Sequence, residues 1–140
     1  MRETFEKAFR WCVKYAVFFR TLSEDDELQE FFKKYNVYQP PQGHPAIYKI
    51  LDECQSEAYD DDVVITNYNQ IIEDCKLDTN DVTRPTDKWV QSLNAEQILA
   101  CIAWHFRRDH FKEGSWISDS VAEGYMRVLV DGFIEKIIEF

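Results

Sequence analysis

The densest group of side chains able to do chemistry is His105, Arg107, Arg108, Asp109 and His110. His105 and Asp109 stand four apart, so a helix sets them on one face, where they could share a proton or hold a metal ion. That spacing alone is common. A mononuclear catalytic zinc site normally draws three protein ligands, and the chain has no H-E-x-x-H pattern. It also has no G-x-S-x-G, no phosphate-binding loop and no dinucleotide-binding glycine pattern. A small enzyme or metal-binding protein using His105 and Asp109 is therefore the second choice. The first is structural: Asp109 ends the apolar stripe of Ile98 and Ile102, which turns it inward. There an arginine and backbone N–H groups beyond Gly114 would hold it. No catalytic residue, metal or cofactor is expected on this reading.

The second concentration is acidic. Residues 52–81 hold ten acidic residues against one basic, a balance of −9, while the rest of the chain holds sixteen against fifteen and the whole carries −10. Asp52, Glu53, Glu57, Asp60, Asp61 and Asp62 are the tightest grouping. Asp60–Asp62 lack the alternating ligands and turn glycine of a calcium loop. Such a surface repels nucleic-acid backbones and attracts basic partners. It implies an interaction module, an inhibitor or adaptor, that engages a basic protein surface. A nucleic-acid-binding protein whose site it occupies, as small phage inhibitors do, would fit. Direct binding of nucleic acid or membrane is not expected. A merely solvated flank between two helices is the alternative.

These groups need elements to hold them. From Leu93 the chain spells a helix start three ways: Asn94 as N-cap, Gln97 completing a capping box, and Leu93 with Ile98 as a hydrophobic staple. Ile98, Leu99, Ile102 and Phe106 continue it as an apolar stripe. Gly114 breaks the helix, and Gly124 can close a short successor in a left-handed conformation. Met126, Leu129, Val130, Phe133, Ile134, Ile137 and Ile138 give the cleanest amphipathic helix, with Gly132 inside it implying a close backbone neighbour.

Toward the N-terminus, residues 3–21 predict a long helix with two adjoining apolar stripes, central in a bundle or half of a homodimer interface. Ser23 with Asp26 signals a second helix carried by Leu28, Phe31, Phe32 and Tyr35. The loop at 38–43 follows, and Pro45 suits the first position of a third helix bearing Ile47, Ile50, Leu51 and Cys54. Val63 to Cys75 fits either strand or helix, and its length favours helix. Asp78 to Thr86 reads as a loop, with Trp89 and Val90 packing after it. The expectation is an all-α, compact bundle of six or seven helices with a single core, one domain over 1–140, and the first and last helices its largest contributors. Cys12, Cys54, Cys75 and Cys101 show no C-x-x-C and read as reduced core residues of a cytoplasmic protein. No stretch has membrane-spanning length.

Residues 93–114 are similar to the C-terminal hallmark of a family of short bacterial and phage proteins of unknown function. Those proteins carry an apolar helix running into Arg-x-Asp/Glu-Arg-Phe-x-x-Gly, then a helix ending at E-x-G. The matching residues are Arg107, Asp109, Phe111 and Gly114, with His110 where the family usually has its second arginine; Glu123 and Gly124 follow, adjacent here rather than one residue apart. The resemblance covers the last third of the chain and implies a helical domain in a microbial or mobile-element setting. A helix–turn–helix reading fails, because Ser118–Glu123 carries acids and no base for a major groove. If Asp109 braces buried donors, Asp109→Ala lowers the melting temperature. A variant with wild-type stability and a lost activity would instead favour the enzyme reading.

Overall fold

The computed structural model describes residues 3–24, 45–111 and 124–138. They form seven helices: α1 (Glu3–Glu24), α2 (Pro45–Asp60), α3 (Tyr68–Asp74), α4 (Thr79–Thr83), α5 (Asp87–Gln91), α6 (Ala95–Phe111) and α7 (Tyr125–Ile138). The fold is all-α, and no strand occurs among the described residues. No helix among them is long and apolar enough to cross a membrane. The helix expected from Leu28 to Tyr35, the proline loop after it, and Gly114 with its short successor lie outside the described residues.

The core forms around α6. Ile98 to Ala103 are all buried without a break, followed by His105 and Phe106. A helix apolar on every side must be covered on every side. α3 packs along one flank of α6, α7 along another, and α4 touches it more briefly, while α1 lies against α7. α1 and α7, the expected largest contributors, make the most extensive helix–helix contact among the described residues, and the middle of α6 is the longest unbroken buried stretch beside them. α1 presents one buried face, Ala8, Trp11, Cys12, Tyr15 and Phe19, whereas α6 is enclosed all round from Ile98 to Ala103. Trp11 ties the layers together. Its indole N–H donates to the Cys54 carbonyl of α2 at 3.0 Å, and its ring meets the Phe106 ring edge-on at 5.7 Å. Phe5 of α1 meets Phe133 of α7 edge-on at 5.8 Å.

Local sequence signals explain most boundaries. The capping box at α6 is formed in both directions: Gln97 N–H donates to Asn94 Oδ1 at 2.8 Å, and Asn94 N–H to Gln97 Oε1 at 2.9 Å. Leu93 and Ile98, the expected staple, are both buried. Pro45 opens α2 as its type suggests. Gly124 has φ 85° and supplies the first carbonyl of α7, to the N–H of Val128 at 3.1 Å. α1 runs through Ser23 to Glu24, and the helix that Ser23 was expected to open lies outside the described residues.

Three stretches differ from the sequence reading. Residues 63–66 are neither strand nor helix but an irregular link, and helix resumes only at Tyr68. The cause is the cap of α2: Asp62 takes a left-handed φ of 58°, and Val63 N–H reaches back to the Ala58 carbonyl at 3.0 Å. This is a Schellman closure, with Val63 and Ala58 both buried as its apolar contact. Asp78 to Thr86 is not simply a loop, because Asp78 accepts from Asn80 N–H at 2.7 Å and caps α4, which buries Val82. Of the cysteines, Cys12, Cys54 and Cys101 are buried as expected, whereas Cys75 follows α3 and is exposed.

Gly132 has a close neighbour, but it is a side chain. A Cβ there would stand 2.3 Å from Val90 Cγ1, so α5 presses a buried valine into the gap on α7. Lys136 holds the same contact by donating to the Gln91 carbonyl at 2.8 Å. Gly132→Ala should therefore destabilise by about 1–3 kcal/mol through overpacking, against the ~1 kcal/mol that alanine gains in a helix. Combining it with Val90→Ala should give much less than the sum of the two separate losses in chemical denaturation. Simple additivity would show that the two residues do not compete for one space.

Candidate functional site

His105 is fully buried, and its Nε2 lies 2.8 Å from the Val82 carbonyl of α4. The nitrogen must carry the proton to donate to a carbonyl, which fixes that tautomer. Burial lowers the pKa from 6.5 to about 4, opposed by the bond to Val82, which favours the charged ring. The imidazole is neutral at ordinary pH and crosses edge-on to Trp104 at 5.0 Å. This is a brace between α4 and α6. Arg107 is half-buried and is not a free charge. The side chains of Arg108, Asp109, His110 and Phe111 lie outside the described residues, as does Gly114, so the pairing of His105 with Asp109 does too. Among the described residues no group of three or more His, Cys, Asp or Glu could hold a metal ion.

Burial also disposes of the thiols. It raises the Cys12 and Cys54 pKa values strongly and pushes Cys101 up to about 12, so all three stay protonated and poorly nucleophilic.

The acidic group divides on α2. Glu57 turns toward α1, where Lys14 Nζ donates to both of its carboxylate oxygens, at 2.8 and 2.9 Å, and the Tyr15 hydroxyl donates to one of them. These bonds, the lysine's first, lower the Glu57 pKa, while burial and the bond to Glu57 raise that of Tyr15. Glu57 is thus a neutralised tie between helices. Asp52, Glu53, Asp60 and Asp62 are exposed and Asp61 is half-buried. Among the described residues no ion pair reaches any of these five. Asp60 ends α2 and Asp61 and Asp62 form its cap, the negative end of the helix dipole, where acids are unfavourable. Lys14 and Tyr15 were not readable as partners, since they stand 43 and 42 positions from Glu57.

No family model, curated protein or solved structure matches the chain.

The pKa directions separate two pH windows. A histidine whose folded pKa is depressed binds its proton in the unfolded chain first, so its stabilisation is complete above about pH 6.5 and is lost as pH falls toward 4. At roughly 1.4 kcal/mol per unit the loss approaches about 3 kcal/mol. Glu57, depressed from 4.5, adds its loss only below that value. Urea midpoints should fall between pH 6.5 and 4.5 for the wild type and stay flatter for His105→Gln, whose amide can still donate to Val82. An equal slope in both would remove His105 as the cause.

Proposed function

We propose that this chain is an acidic helical interaction module whose partner presents a basic protein surface. One observation supports the reading above the others: Asp60, Asp61 and Asp62 sit where helix electrostatics oppose them. A cap selected for stability alone would carry lysine, arginine or glycine. Each exposed acid in that last turn gives up roughly 0.3–1 kcal/mol. Asp52, Glu53, Glu73 and Asp74 add to the same excess, against Lys76 as the single basic residue of 52–81. A field of one sign raises the encounter rate with an oppositely charged partner and rejects like-charged ones. A nucleic-acid-binding protein is the natural class of target, because its own basic site is built for anions. The enzyme alternative finds no support in His105, which spends Nε2 on the Val82 carbonyl.

Decalysine serves as a defined probe. Its affinity, read by fluorescence anisotropy, should fall at least tenfold between about 50 and 300 mM salt, as exposed charges are screened over ~14 to 6 Å. It should fall comparably when Asp60, Asp61 and Asp62 become Asn. Unchanged binding by that triple variant, with cellular partners likewise unchanged in a pull-down, would reject the acidic face. The exposed Val13 and Val17 on the outer side of α1 would then be the better candidate surface.

A further inference from the structure

Beside the left-handed cap of α2 lies an open cleft of about 440 Å³, within the roughly 300–1,000 Å³ of small-ligand sites. Its floor is apolar and comes from three helices: Phe5 of α1, Ile71 of α3 and Leu99 of α6. Its rim carries two carboxylates, Asp62 from the cap of α2 and Glu96 from the first turn of α6, with the Asn67 amide between them in sequence. Among the described residues no basic side chain lines it.

The lining narrows the occupant. A wholly apolar ligand would strip water from two carboxylates and give them no partner. An anion would meet two negative charges. A hard metal ion asks for six or more oxygen ligands and would leave the apolar floor unused. A cation on an aliphatic stem satisfies both parts, as the stem lies on apolar surface and the head meets the carboxylates. The planar guanidinium also tolerates partial desolvation better than an ammonium and can face the Phe5 ring.

We propose that this cleft is an anchor pocket for an arginine side chain of the basic partner, its stem on Phe5, Ile71 and Leu99 and its guanidinium between Asp62 and Glu96. The inference rests on the partner being basic. It adds a fixed point of attachment that combines an apolar contact with charge, where Asp60 and Asp61 supply only a field. It also enlists Glu96, which lies outside the acidic stretch and carries no distinguishing signal in the sequence.

The test is a heteronuclear NMR titration of the full chain with N-acetyl-arginine amide and with its uncharged isostere, N-acetyl-citrulline amide. The arginine compound should give saturable shifts centred on Asn67, Ile71 and Leu99, and the citrulline compound should bind about tenfold more weakly. Glu96→Gln should weaken the arginine compound severalfold while leaving decalysine affinity within about twofold, because decalysine responds to the summed field of many acids, of which Glu96 is one. Shifts centred elsewhere, equal binding of citrulline, or no effect of Glu96→Gln would each overturn the pocket. Saturable arginine binding at the cleft in a chain that fails to bind decalysine would support the pocket while rejecting the broader acidic face.

Discussion

A stretch of helix with no polar side has to be enclosed, and the middle of α6 imposes that requirement on the helices around it. Six consecutive buried residues from Ile98 to Ala103 leave no face for water. Two long helices cannot surround a third, so α3 and α4, each under two turns long, cover further flanks of α6, while α5 packs on α7. Short helices are marginal alone, and here their order comes from docking. The one buried polar side chain among the described residues, His105, shows how tightly the enclosure is specified. A neutral imidazole in that setting must find an acceptor for its N–H, or lose roughly 1–3 kcal/mol. The Val82 carbonyl supplies it, and the need is met only if α4 lies where it does. The polar exception thus fixes the position of an element that apolar contact alone would leave free to slide.

Fold class was legible because its carriers are local. The capping box of Asn94 and Gln97, Pro45 at a helix start, and the left-handed Gly124 each depend on residues within a few positions. What the sequence concealed was set by long-range contact or by unusual caps. α2 and α3 both close through left-handed residues that are not glycine, Asp62 and Lys76, at φ 58° and 53°. Lys76 N–H bonds to the Glu73 carbonyl and Leu77 N–H to that of Ile72, the two bonds of a Schellman motif without its usual residue. A helical period read through such a point runs on, which is why Val63 to Cys75 looked continuous. Residues 63–66 keep their apolar side chains for another reason: Val63 is buried and Val64 and Ile65 pack on the core as a link.

The candidate sites were legible to different degrees. Their composition was plain, and their pairing was not. His105 and Asp109 share a helix and invited a functional pairing that lies outside the described residues, whereas the bond from His105 Nε2 goes to Val82, 23 positions away. Glu57 counted as one of a run of acids until Lys14 and Tyr15 claimed it across the α1–α2 contact. Glu53 and Asp61 also act on Lys14 through their charge, so this single lysine partly offsets the inner side of the acidic helix. Among the described residues no ion pair reaches Asp52, Asp60 or Asp62.

Asp62 joins three demands that would ordinarily be met by different residues. As the left-handed cap it would be better as glycine, which avoids a conformational cost of roughly 1 kcal/mol. At the negative end of α2 it would be better as a cation or neutral residue. As a wall of the cleft facing the first turn of α6, only a carboxylate gives that wall its charge. Aspartate tolerates the left-handed region better than most residues, so it is a side chain able to keep a negative charge at this bend without breaking it. The turn and the dipole both argue against the residue found there, and the cleft and the acidic face argue for it. Stability alone accounts for neither the charge of this cap nor the company of Asp60 and Asp61, whereas the cationic partner proposed above would account for both.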